Sequence, residues 1–408
     1  MNICQVIISD GWGGAETVVY ELCRHLRDKG EYVCIILNEE MVKYYADLKD
    51  VKLFNIGPLY PPKYILSNRR MYSAERNIFA KIRKLFYIYS DELIRYRQYK
   101  ILKNDIKQIL EDNRIDVVHS HLPNASLLLA NLDIVRVPVI HTMHGDWDLI
   151  SSNIKISRYM IPFTKMKARR YKKALGRMDK VTAVSNFVTS SIEKWEVKLK
   201  SKTIVIYNGI NLTDFKNSLM LPKELEGKFN LLYPGGEKRL KGGDLLILAL
   251  AKLRNNISGF HLYIAGNVPH NDMLRQMVIK LGLESNVTFV GILPKEEYRR
   301  LLNSVDILVM PSRMEAFGIA YIEAMALGKA VVASNTGGIP EVVQDGRNGI
   351  LVELDSEQIA KAISYLYQHA DIREEMGRNN LRDVTKFDWN IITDQYICLY
   401  KEMLKEKI

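Results

Sequence analysis

The stretch from Ile307 to Gly349 constrains this chain more than any other, because it forces two passages from strand through loop to helix in succession. Ile307–Met310 has the length and branching of a buried strand, and Pro311-Ser312 ends it because proline cannot donate to a ladder. Gly318 permits a tight entry, and Ile319, Ile322, Met325 and Ala326 then recur at helical spacing until Gly328 supplies a stop. Glu315 therefore falls on the loop and Glu323 inside the helix. The device repeats: Ala330–Ser334 reads as a strand, Asn335-Thr336-Gly337-Gly338 as a bare loop, and Pro340 as the opening of a short helix. Two helix starts at strand ends favour phosphate through unpaired amides and the helix dipole, while nearby carboxylates accept hydrogen bonds from sugar hydroxyls. The pattern suits a nucleotide-sugar pocket.

Glu315-x7-Glu323 with Phe317-Gly318 between, Ala324-Met325-Ala326-x-Gly328, and Gly337-Gly338-x-x-Glu341 closely resemble family 4 of the retaining glycosyltransferases. The resemblance implies an α/β chain of GT-B fold, two Rossmann-like doubly wound parallel-sheet domains facing across a cleft. It also implies a nucleoside-diphosphate sugar as donor and retention of anomeric configuration, which residue spacing cannot give.

At 408 residues the chain accommodates two domains, each with its own core. Residues 1–211 are expected to form the first, completed by a terminal helix at 387–408, with a linker at 212–227 and the nucleotide-sugar domain at 228–386. No run approaches the roughly 18 apolar residues that cross a bilayer, and MNICQVIISD opens directly on a strand, so a cytoplasmic location is expected. Cys4, Cys23, Cys34 and Cys398 form no CxxC pair and read as reduced thiols; no metal and no cofactor are expected. The net charge of +11 is concentrated between Pro61 and Gln108, where twelve Lys and Arg face only Glu75, Asp91, Glu92 and Asp105. Such a surface attracts anions, and the amphipathic pattern within 73–113 fits either an anionic membrane face or a core-packed helix with solvated cations.

Along the chain, Gly11-Trp12-Gly13-Gly14-Ala15-Glu16 follows the first strand and opens a helix, the usual ligand position in an open sheet. By resemblance, Gly13 and Gly14 lie against the donor diphosphate and the acceptor. Two short strands end at His119-Ser120-His121 and at His141-Thr142-Met143-His144-Gly145-Asp146. His144 matches the family's donor-pocket histidine, whereas His119 and His121 are given packing roles. A second basic helix, Pro162–Gly176, extends the cationic face. Gly235–Gly242 is a basic glycine-containing loop before a helix, suited to neutralising a departing diphosphate. The family places Gly-Arg here with a lysine five residues on. Lys241 fits, but Gly236 occupies the arginine position, leaving Arg239 or Lys238 to supply the charge. Gly291-Ile292-Leu293 occupies the family's base-reading turn.

These readings converge on transfer of a sugar to a hydroxyl of a glycan or lipid-linked acceptor, as in surface polysaccharide assembly, with the protein peripheral to the inner membrane face. The resemblance implies that Glu315 orients sugar hydroxyls, Glu323 holds the ribose diol, and Lys241, Arg239 and the amides at Gly13-Gly14 and Gly337-Gly338 stabilise the diphosphate. Phe317 and Gly318 belong to the same donor-binding set. A nucleotide-sugar epimerase of the same fold is the first rival. A non-catalytic anion-binding module is the second, although the chain lacks any recognisable nucleic-acid motif and no nucleic-acid partner is expected.

Overall fold

Apolar runs such as Ile3–Ile8 and Val33–Leu37 leave no polar face for solvent, and strands of that kind are stable in parallel sheets covered on both sides. The computed structural model describes residues 1–58, 97–130, 132, 137–145, 161–195, 197–216, 227–254, 257 and 259–407. The expected helices within residues 59–96, most of the linker and Asp146 lie outside them.

Among the described residues two parallel sheets carry the fold. The first contains β1 (Asn2–Ile7), β2 (Tyr32–Leu37), β3 (Lys52–Asn55), β4 (Val117–His121), β5 (Val139–Met143), β6 (Lys180–Ala183) and β7 (Thr203–Val205), in the order β3-β2-β1-β4-β5-β6-β7. The second contains β8 (Phe229–Tyr233), β9 (Phe260–Ala265), β10 (Val287–Gly291), β11 (Ile307–Met310), β12 (Ala330–Ser334) and β13 (Gly349–Val352), in the order β10-β9-β8-β11-β12-β13. Strand order reverses between β1 and β4 and again between β8 and β11. Ligands of doubly wound sheets bind beyond the carboxyl ends of the strands at such reversals. The fold is that of the GT-B class. No helix among the described residues is long and apolar enough to cross a membrane.

The chain divides into one compact unit of Met1–Val184, Val188–Ile206 and Thr393–Ile408, and a second of Ser185–Phe187 and Tyr207–Ile392. The divisions fall a few residues from the expected 211 and 387. Backbone bonds explain the offset: the Ile210 amide donates to the Phe387 carbonyl at 2.8 Å and the Trp389 amide to the Ile210 carbonyl at 3.1 Å, so both segments stay together. The terminal helix Trp389–Glu406 enters the first unit at Thr393, where Tyr396 and Tyr400 are buried beside His119.

Strand β4 runs through His119 and His121 instead of ending at the first of them, and both imidazoles are fully buried. A strand tolerates this because each ring nitrogen has a partner, which removes the penalty of burying an unsatisfied polar group. The second unit shows the opposite economy of space. Gly377, in the helix Ala370–Asp383, lies so near the turn at Gly328 that a Cβ there would come within 2.3 Å of the Gly328 carbonyl oxygen.

Gly377→Ala sets two effects against each other. Helix propensity alone gains about 1 kcal/mol, while overpacking of a tight contact costs about 1–3 kcal/mol. The buried Asn380 side chain, which donates to the Lys329 and Asn348 carbonyls at 2.8 Å each, shares the same helix and resists a shift. The variant should therefore unfold at lower urea concentration than the wild type, with an unchanged m-value; a rise in midpoint would show that the helix moves freely.

Candidate active site

In the second unit the reversal point is built from three loops. The loop after β8 carries Arg239 and Lys241 on a short helical turn, and the loop after β11 carries Glu315. Lys241 Nζ is ion-paired with Glu315 Oε2, and the two side chains retain 26% and 15% exposure, so the pair remains reachable. Arg313 ties these loops together: its guanidinium grips Asp244 with two bonds of 2.7 Å and donates to the Arg239 carbonyl at 2.7 Å. The loop after β12 comes closer still. Gly337 has φ 60, and a Cβ there would lie 2.2 Å from the Glu315 carbonyl oxygen; one at Gly338 would lie 2.1 Å from that of Ala316. Only glycine leaves room for that approach.

The approach corrects one expectation. The Gly338 amide donates to the Glu315 carbonyl at 2.9 Å, so it fixes the neighbouring loop and is not an open donor for phosphate. Phe317 lies on the same loop as Glu315. Its side chain is buried, stacked on Tyr207 and edge-on to Phe387, so it anchors the loop in the core and presents no ring to a ligand. Gly318 begins the helix Ile319–Ala326.

That helix carries Glu323. Burial pushes its carboxyl up to about 7, against the opposing pull of the Tyr298 hydroxyl and the charges of Arg299 and Lys295. The Tyr298 hydroxyl is itself buried beside this carboxyl. β10 closes with Gly291, whose carbonyl accepts from the Gly266 amide at 2.7 Å; Ile292 beyond it is 79% exposed and leaves the turn open to a planar ligand edge.

Gly236 stands where the resembled family has arginine, and the backbone accounts for it. Its φ is 54, and a Cβ would sit 2.9 Å from the Asn267 carbonyl oxygen, so an arginine does not fit this turn. Lys238 and Arg239 follow on the same loop that ends at Lys241, and both side chains are exposed.

In the first unit, Gly13 precedes the helix Gly14–Asp28, whose leading amides are open as at any helix start. Glu16 shapes this loop from within by accepting the Ser9 hydroxyl at 2.6 Å. His144 follows β5. Its Nε2 lies 3.1 Å from His121 Nδ1, and His121 Nε2 lies 2.7 Å from Gln5 Oε1. Burial lowers the His144 ring to about 4, so it is neutral near pH 7. His121 is held well below the ordinary histidine range by burial first and the neighbouring His119, His144 and His141 second. Gln5, a polar residue in an apolar strand, carried no motif to mark it; the contact exists only once β1 and β4 pair. Arg313 escaped notice for the same reason. No group of three or more His, Cys, Asp and Glu among the described residues is placed to hold a metal ion.

The helix Ile161–Gly176 bears Lys165, Lys167, Arg169, Arg170, Lys172 and Lys173 with no acidic residue. At its end lies a pocket of about 670 Å³ lined by Arg169, Lys173, Arg177 and Lys202 among others.

Comparison with known proteins matches residues 12–214 to the family described as Glycosyltransferase Family 4 and residues 221–383 to Glycosyl transferases group 1. An uncharacterized glycosyltransferase of Methanocaldococcus jannaschii, MJ1178, is 30% identical over 309 residues, 75% of this chain and 79% of that protein. The phosphatidyl-myo-inositol mannosyltransferase of Mycobacterium leprae is 25% identical over 394 residues, 95% of this chain and 93% of its own length. Among solved structures, Anabaena HepE in complex with UDP and glucose superposes with a TM-score of 0.73 at 18% identity, covering 98% of this chain and 99% of that one.

The raised carboxyl of Glu323 makes stability depend on pH. A folded value of about 7 above the ordinary 4.5 means that the folded state holds the proton more tightly than the unfolded chain. The contribution is therefore fully present below about 4.5 and is lost as pH rises through about 7. Relative to Glu323→Gln, the wild type should lose on the order of 2–3 kcal/mol between pH 4.5 and 8 in urea titrations. Parallel curves for the two proteins would contradict the burial of this group.

Proposed function

From the premise that the chain belongs to glycosyltransferase family 4 and is a nucleotide-sugar-dependent glycosyltransferase, we propose that it transfers the sugar with retention to a lipid-linked or glycan hydroxyl at an anionic membrane face. The observation that carries the donor half is the Lys241–Glu315 pair at the β8/β11 reversal, fixed by Arg313 and by the glycines at 337 and 338. As the anomeric bond breaks, negative charge gathers on the leaving diphosphate and positive charge on the sugar ring. In the second unit Lys241 and Arg239 supply preorganised stabilisation to the diphosphate, which is the largest contribution in reactions of this kind. Glu315 orients the sugar hydroxyls, Glu323 accepts the ribose diol, His144 lines the sugar pocket, and the turn Gly291-Ile292-Leu293 reads the base through its backbone. The named complex of HepE makes UDP-sugars the first donors to try.

The acceptor half draws on the acid-free helix Ile161–Gly176 and on the relative named for phosphatidyl-myo-inositol. Clustered cations near an anionic surface contribute about 1 kcal/mol each, and salt screens them.

Two experiments test the halves separately. A panel of UDP-, GDP- and ADP-sugars should contain one that raises the thermal midpoint. With that donor, Lys241→Ala and Glu315→Ala should each slow transfer by about 100-fold or more, whereas Glu323→Ala should chiefly raise the donor KM; wild-type rates in Lys241→Ala would remove the phosphate assignment. For the membrane reading, the protein should sediment with vesicles rich in phosphatidylglycerol at low salt, and not with phosphatidylcholine vesicles. Binding to neither, together with transfer only to small soluble acceptors, would end it.

A further inference from the structure

A line of buried side chains runs inward from His144 within the first unit. His144 Nε2 meets His121 Nδ1 at 3.1 Å, and His121 Nε2 meets Gln5 Oε1 at 2.7 Å. Gln5 and His121 are wholly buried, and Gln5 packs beside the Tyr400 hydroxyl, which is itself 2.6 Å from His119 Nδ1. Two atoms of the line lack a partner: the Gln5 amide nitrogen at the inner end and His144 Nδ1 at the outer end.

Neutral imidazole has one donor nitrogen and one acceptor nitrogen, so each contact in such a line dictates the next. Gln5 Oε1 can only accept, which places the His121 proton on Nε2. His121 Nδ1 is then a lone pair, and it accepts from His144 Nε2. The His144 Nδ1 is left as an open lone pair in a buried position.

We infer that Gln5 and His121 are positioning residues that hold His144 as its Nε2–H tautomer, so that Nδ1 takes a hydrogen bond from a hydroxyl of the bound sugar and offers nothing to a phosphate oxygen. The inference rests on the reading of His144 as part of the sugar pocket, and it goes beyond the packing role given to His121. A phosphate oxygen is an acceptor and would meet the Nδ1 lone pair unfavourably, so the line also sorts which part of the donor lies there. Because both rings stay neutral near pH 7, the selection is one of tautomer and not of charge.

The test is nitrogen-15 NMR of histidine-labelled protein. The chain has eight histidines, and the His144 ring signals are assigned by their absence in His144→Gln. The wild type, without ligand, should show His144 protonated at Nε2 and unprotonated at Nδ1, with His121 in the same state. Gln5→Met, which keeps volume but removes the acceptor, should turn the His144 signals into a tautomer average and lower kcat/KM by about tenfold. A 15N signature of Nδ1–H in wild-type His144, or an unchanged tautomer in Gln5→Met, overturns the inference. The wild-type spectrum decides even if the variant does not fold. An Nε2–H tautomer in a protein that transfers no sugar would uphold the line and reject the functional reading, so the two failures are distinguishable.

Discussion

The site in the second unit depends on backbone meeting backbone. The carbonyls of Glu315 and Ala316 occupy the space that side chains at 337 and 338 would fill, and the Gly338 amide closes the contact with a 2.9 Å bond. Ser334 and Thr336 add their hydroxyls to the Ser312 carbonyl, and the Arg313 amide donates to the Leu240 carbonyl at 2.7 Å. Three loops from three different strands thereby become one block. The Lys241–Glu315 pair inherits its position from that block and not from the stiffness of its own long side chains. The paired charges are thus held in place without a ligand's help.

The same contact explains what was legible in the sequence. Glu315, Glu323, Gly337 and Gly338 are close in the chain, and their order follows from one strand-loop-helix passage repeated. Local spacing was therefore enough to place them, and the doubly wound sheet followed from the apolar runs around them. The direction in which each group faces was not legible. Gly337-Gly338 looked like a phosphate cradle because bare glycine loops at helix starts serve that purpose, but glycine also serves where two backbones touch, and composition alone does not separate the uses. The packing of the Phe317 ring was not legible either, since the aromatic cluster with Tyr207 and Phe387 brings together residues far apart in sequence. Gln5, Arg313 and Tyr298 were invisible for the same reason, since each acquires its role only through pairing across the sheet or between loops.

Burial acts in opposite senses on two kinds of group and gives the same result. It lowers His119, His121, His141 and His144, and it raises Glu323, so that all five are drawn toward neutrality. A low-dielectric surrounding penalises the charged form whatever its sign. The charges that remain in the second unit's loops are those with a partner or with access to water: Lys241 with Glu315, Arg313 with Asp244, and exposed Arg239.

The departure at Gly236 fits this division. An arginine directly after the strand would place its charge on a rigid backbone, but the positive φ and the nearby Asn267 carbonyl make a side chain there strained. Lys238 and Arg239 are the next cations on the same loop, and both are exposed. The Arg239 carbonyl is held by Arg313, so the backbone that bears these cations is anchored to Asp244 through one intermediary. The loop between Gly236 and Lys241 is thereby tethered at 239, two residues before the lysine that pairs with Glu315.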